Sequence, residues 1–150
     1  MNFSEQTLYQ KALLAHHKTP VGFELDIQVT DELDGHNAAC GDDITVQVNF
    51  SGSVITQSAF SGDSCAICRA SASIMCQQLQ QMSIEGFEEL YAQLLAGLNG
   101  EQVFAKVFLP LSPIAQYPVR QQCALLPWQT LNKLLTTHKE LNSCKQTGVR

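Results

Sequence analysis

The chain carries Cys40-Gly41-Asp42 in one short run, Cys65 behind Ser64, and Cys123 within Arg120-Gln121-Gln122-Cys123-Ala124-Leu125-Leu126-Pro127-Trp128. Together these residues offer three thiolates and one carboxylate, and four donors are what a tetrahedral metal site takes. In an extended segment residues i and i+2 point to the same side, so Cys40 and Asp42 reach toward one point while Gly41 lets the backbone turn between them. Cys65 stands where a helix pattern opens, and the free N–H groups and positive dipole end of a helix start favour negative charge there. Cys123 comes from the far end of the chain. Separate loops meeting at one point fit an exchangeable site better than a short-spaced structural finger. Asp42 sets the character of such a site, because a carboxylate holds a borderline-soft ion less firmly than a fourth thiolate and yields its place to an incoming ligand.

The other candidate residues divide into those near this set and those apart from it. Cys65-Ala66-Ile67-Cys68 is a CxxC pair that could bind metal, form a disulfide or resolve a persulfide, while Cys68 as a small packed side chain is the plainer expectation. A thioredoxin-like pair is not expected, because the preceding pattern is a hairpin and not a βαβ unit. Arg120 is placed to stabilise thiolate charge near Cys123, against the plainer reading of a surface cation. Asp43 is expected to be solvated. His36 precedes Cys40 by one short step but Asp42 already completes four donors. Cys76 reads as packing, Cys144 as an exposed thiol in a polar tail, and His138 with Cys144 lacks a zinc-finger spacing. His16 and His17 fall at the carboxyl end of the first helix, where an imidazole meets the dipole favourably.

The elements that must position these groups follow from periodicity. A first helix capped by Ser4 is expected to end near Lys18, before Pro20. Phe23, Leu25, Ile27 and Val29 alternate with polar residues, which predicts a half-buried strand or, alternatively, an extended arm; Asp31 to Gly35 reads as loop. Ile44 to Phe50 and Val54 to Phe60, joined by Ser51-Gly52-Ser53, predict a hairpin. Ala66 to Gln81 predicts a helix, and Ser83 caps another that runs to the Gly97–Gly100 region with an apolar stripe. A short helix is expected within Glu101 to Phe108, a proline-marked loop at Pro110, Pro113 and Pro118, and a last helix beginning at Pro127. The sum is an α+β fold, a small antiparallel sheet of about three strands with helices packed on one face. One domain spanning residues 1–150 is expected, its tail fraying after about residue 139.

Composition narrows the partners. A formal net charge of −5 with only nine Lys and Arg argues against a nucleic-acid surface, so a protein partner is the better expectation. No apolar run reaches the roughly 18 residues of a membrane helix. The start Met1-Asn2-Phe3-Ser4-Glu5 has neither a basic region nor an apolar core, so the cytoplasm is the default and the six cysteines are expected to be reduced.

Ala39-Cys40-Gly41-Asp42, Ser64-Cys65-Ala66-Ile67 and the Arg120 to Trp128 run, with His16-His17-Lys18-Thr19-Pro20 similar to a His-Tyr-Lys-Asn-Pro pattern, resemble the IscU/SufU/NifU proteins of iron–sulfur cluster assembly. The resemblance extends from the first helix to Trp128. The segment between Cys65 and Cys123 is longer than in IscU, Gln122 replaces the IscU histidine, and Pro118-Val119-Arg120 stands in place of a Leu-Pro-Pro-Val-Lys stretch, so the chain looks closest to the SufU branch. That resemblance implies an IscU/SufU-like fold, zinc held by Cys40, Asp42, Cys65 and Cys123, and a sulfurtransferase relay fed by a SufS-like cysteine desulfurase and serving downstream iron–sulfur assembly proteins. It also implies Cys40 as sulfur acceptor, Cys123 as the alternative acceptor, and Arg120 as the basic group of a Pro-Ala-Arg pattern. The alternative it carries is a scaffold that builds a two-iron two-sulfur cluster on the same residues; a metal-stabilised interaction protein without sulfur chemistry is the third reading. The chain departs from the pattern at Cys68, where serine is usual, and at Ser64, where glycine is usual.

Overall fold

The structure is a computed structural model that describes the backbone of residues 3–146 and the side chains of residues 7–142. The hairpin forms as its alternation predicts, with β2 over Asp42–Ser51 and β3 over Val54–Ser61. Gly52 takes the left-handed φ of 64° that its turn requires. On the other side of β2 lies β1, Asp31–Asn37, and the two-residue β4, Met82–Ser83, pairs with β3 at the opposite edge. The sheet is antiparallel with order β1-β2-β3-β4, one strand more than expected.

The first edge strand corrects the sequence reading twice. Residues 23–29 do not form a strand: Phe23 makes an isolated bridge to Phe60, and Glu24 turns the chain out of register at φ 53° while its N–H bonds the Phe60 carbonyl at 2.8 Å. Leu25 and Val29 remain 54% and 41% exposed, so their alternation marks the extended arm that was the alternative. The strand forms instead over the polar Asp31–Asn37, where pairing with β2 supplies the backbone partners and burial alternates along the segment. Gly35 belongs there for steric reasons, since a Cβ would lie 2.1 Å from Thr130 Oγ1.

Helix α1, Phe3–Lys18, ends where Pro20 predicts; it already includes Ser4, whose side chain lies outside those described, as does the Cys144 thiol. Helix α2, Ala66–Gln78, stops short of the expected Gln81, which instead has φ 57°. Helix α3, Ile84–Leu98, is capped by Ser83, whose Oγ accepts the Gly86 N–H at 3.0 Å. Of the three prolines expected to mark a loop, Pro110 and Pro113 sit in a 3₁₀ segment, Lys106–Gln116, which forms in place of the short helix expected within Glu101 to Phe108. The last helix, α4, spans Pro118–Gln146, so Pro118 and not Pro127 opens it. Pro127 is accommodated inside because Leu125, Leu126, Trp128 and Leu131 are all buried, and their packing outweighs one lost backbone bond, a penalty of about 3 kcal/mol. The backbone stays helical to Gln146, past the expected onset of fraying near residue 139, and residues 147–150 lie outside the described set.

The core lies between one sheet face and the helices. Ile44, Val46, Val48, Ile55 and Phe60 meet Ile74, Met75, Phe87, Trp128 and Leu131, all buried. Trp128 stacks near Phe87 at 5.8 Å and meets Phe108 edge-on at 5.2 Å. Its Nε1 donates to Ser71 Oγ at 3.1 Å, and Ser71 in turn donates to the Ala124 carbonyl at 2.5 Å. This buried relay of hydrogen bonds ties α2 to α4, the two helices that carry Cys65 and Cys123.

Candidate metal centre

Each of these side chains is brought in by a different local device. Gly41 adopts φ 67°, a conformation that costs glycine nothing, and so turns the chain from the loop holding Cys40 into β2, whose first residue is Asp42. Cys65 is the N-cap of α2, with extended backbone and its Sγ accepting the Cys68 N–H at 3.4 Å. Cys123 lies in the first turns of α4 and is buried, its thiol 3.8 Å from the Val119 carbonyl.

The ligand atoms of Cys40, Asp42 and Cys123 all lie within 4.8 Å of one another. Asp42 is 1% exposed and held by backbone: its Oδ1 accepts the Cys65 N–H at 2.7 Å, which fastens the carboxylate to the start of α2. Cys65 is not a member of that close group, because its sulfur caps its own helix, although it lines the same cleft and bears on Cys123 electrostatically. Burial first, then hydrogen bonding with Cys40, Asp42 and Cys65, pushes the Cys123 thiol strongly up. Such crowding of acidic groups fits a cation, which lets the thiols ionise together. The donor set of soft sulfur and one hard oxygen suits zinc or iron.

A cleft of about 650 Å³ opens on the set, lined by Cys40, Cys65 and Cys123 together with Pro110, Tyr117 and Arg120. Arg120 is exposed, with its guanidinium carbon 5.2 Å from the centre of the Tyr117 ring. Asn37 is the residue that the sequence did not reveal. Its Nδ2 lies 3.4 Å from Asp42 Oδ2 and 3.5 Å from Cys123 Sγ, so one amide faces two of the grouped side chains. No signal pointed to it, since its segment read as loop.

The remaining candidates stand apart. His36 and Asp43 are exposed and paired with each other, outside the group. His16 Nδ1 meets Ser73 Oγ at 2.7 Å, and the same hydroxyl accepts the Val21 N–H at 2.8 Å, so this histidine fastens the end of α1 to α2. His138 packs against the Phe50 ring at 3.9 Å. Cys76 is buried as expected, and burial pushes its thiol up to about 11. Cys68 is fully buried; burial and then the Asp42 charge push its thiol up to about 12.

Comparison with known proteins agrees with this architecture. The profile of the NifU-like N terminal domain matches residues 8–144. The zinc-dependent sulfurtransferase SufU of Bacillus subtilis is 28% identical over 138 residues, covering 88% of this chain and 92% of the relative. The iron–sulfur cluster assembly scaffold protein IscU of Thermotoga maritima is 32% identical over 136 residues, covering 85% and 92%. Among solved structures, a putative iron–sulfur cluster assembly scaffold protein for the SUF system from Fervidobacterium islandicum superposes with a TM-score of 0.74 at 26% identity, covering 87% of this chain and 98% of that one. The N-terminal part of a NifU-like protein from Brucella abortus gives a TM-score of 0.80 at 18% identity over 88% of this chain and 94% of its own, which speaks for the fold. The chain thus belongs to the NifU-like N-terminal domain family, the family of the SufU and IscU proteins of iron–sulfur cluster assembly.

Proposed function

We propose that the chain is a zinc-dependent sulfur relay of the SufU kind, accepting persulfide sulfur from a SufS-like cysteine desulfurase in the cytoplasm and passing it to downstream iron–sulfur assembly proteins. Cys40, Asp42, Cys65 and Cys123 are the proposed zinc ligands. The observation that carries the reading is the convergence of Cys40, Asp42 and Cys123 within 4.8 Å beside a cleft that Cys65 also lines. When bound, zinc supplies a charge that keeps the thiols ionised at neutral pH.

Cys40 is the proposed acceptor, being half-buried and cleft-lining where Cys123 is buried. Its thiolate attacks the outer sulfur of the desulfurase persulfide. A new S–S bond forms on Cys40, the donor S–S bond breaks, and the desulfurase cysteine leaves as thiolate. Cys123 is the alternative acceptor. Arg120, on the cleft wall, offers positive charge to the thiolate that develops there.

The test is the intact mass of zinc-loaded protein after anaerobic incubation with a cysteine desulfurase and L-cysteine. One added sulfur, removed by reductant and absent from Cys40→Ser, is the expected result; undiminished loading of Cys40→Ser with loss in Cys123→Ser moves the acceptor to Cys123. A second reading has the same side chains building a two-iron two-sulfur cluster, and the 32% identical IscU relative favours it. Iron with acid-labile sulfide after anaerobic purification, and no sulfur uptake by the zinc form, would establish that reading in place of the relay.

A further inference from the structure

The relay gives no task to Cys68, which completes a CxxC pair with Cys65 at the head of α2. Cys65 is the N-cap and Cys68 the third residue of the helix, and the Cys68 N–H donates to Cys65 Sγ at 3.4 Å. These are the two positions of a capping box, where the side chain at each reaches back toward the backbone of the other. Side chains three apart lie on one face of a helix and lean toward its start, with Cβ atoms about 5–6 Å apart. A disulfide needs Cβ atoms at about 3.5–4.5 Å and Cα atoms within about 4.4–6.8 Å, so a closer approach of the two Cβ atoms at the first turn of α2 joins the sulfurs. Access is graded: Cys65 lines the cleft, whereas Cys68 is fully buried behind it. The other thiol of α2 is no competitor, because Cys76 Sγ faces Gly22 on the arm.

We propose that Cys65 and Cys68 form a redox-active dithiol, which a low-molecular-weight disulfide such as oxidised glutathione closes into an intramolecular disulfide, withdrawing Cys65 from the cleft. In the first step the Cys65 thiolate attacks one sulfur of the reagent, whose S–S bond breaks to release one glutathione thiolate. Cys68 then gives its proton to that thiolate and attacks Cys65 Sγ, and the second glutathione leaves. Two protein thiols lose two electrons, and the reagent is reduced to two thiols; excess reduced glutathione reverses the sequence. The loss of a zinc ligand rests on the relay reading, while closure of the disulfide does not.

The full chain, stripped of metal by chelation, is equilibrated in glutathione redox buffers, quenched in acid, alkylated and mapped by mass. The expected species is lighter by two hydrogens, with Cys65 linked to Cys68 and Cys40 and Cys123 alkylated. Cys68→Ser and Cys68→Ala instead accumulate glutathione on Cys65 in the same buffers. Zinc affinity, titrated in parallel on the wild type, falls by at least about 100-fold on closure, more than loss of a supporting contact costs. A Cys40–Cys123 disulfide, or glutathione remaining on Cys65 of the wild type, overturns the dithiol. Closure with unchanged zinc affinity upholds the dithiol and removes Cys65 from the ligand set of the relay reading.

Discussion

Asp42 is proposed both to hold metal and to anchor a helix, and two substitutions separate these roles. Its Oδ1 accepts the Cys65 N–H at 2.7 Å from a carboxylate that is 1% exposed. A hydrogen bond to a charged group is worth about 1.5–3 kcal/mol, and its removal leaves the N–H at the head of α2 without that acceptor. Asp42→Ala therefore destabilises the metal-free protein by about 2 kcal/mol, part of the gross value being offset by relief of carboxylate desolvation. Asp42→Asn keeps a carbonyl oxygen for the same N–H and loses about 1 kcal/mol. At about 2–4 °C per kcal/mol for a chain of this size, the expected falls in Tm are about 4–8 °C for alanine and about half that for asparagine. Zinc adds an equal loss to both, because both variants lack the anionic ligand: a 100-fold weaker site forfeits about 2.7 kcal/mol of zinc-dependent stabilisation in each. Thermal unfolding with chelator and with saturating zinc measures both quantities. Equal metal-free Tm values for the two variants would refute the anchoring role, and an undiminished zinc shift in Asp42→Asn would remove Asp42 from the ligands.

Gly35→Ala places a Cβ 2.1 Å from Thr130 Oγ1 and should lower the urea midpoint by the equivalent of about 1–3 kcal/mol, with Thr130→Ala in the same chain restoring part of it. Full stability of the single variant would show that β1 and α4 are not so closely apposed. Burial lowers the His16 pKa from its ordinary 6.5. The unfolded chain therefore takes up the proton first as pH falls, so this contribution is present above pH 6.5 and is lost as pH drops toward the lower folded value. Urea midpoints of chelated protein across that range should fall for the wild type and flatten in His16→Gln; parallel curves would show that His16 does not carry the dependence.

Much of the site was legible because its parts are local in sequence. Cys40-Gly41-Asp42 needs only a turn and a strand start, and Cys65 needs only a helix beginning beside it; both form as the residues dictate. The hairpin and α3 were legible for the same reason, since alternation and a serine cap act within a few residues. The arm and β1 were not. Residues 23–29 have strand alternation, but the turn at Glu24 directs them away from regular pairing, whereas the polar Asp31–Asn37 becomes a strand only because β2 offers an edge. Pro127 was misleading because a proline signals a helix start locally, while burial of the residues around it is decided by the whole core. Asn37 escaped notice since its value lies wholly in where β1 delivers its amide.

The tie between Trp128 and Ser71 gives this protein an internal optical gauge. The chain has a single tryptophan, and its indole bonds the helix headed by Cys65 while sitting on the helix that contains Cys123. Its emission therefore reports, without any added label, on the spacing of those two helices. A spectral change that tracks zinc loading, sulfur uptake or closure of the Cys65–Cys68 pair would time each event at the contact between the two helices.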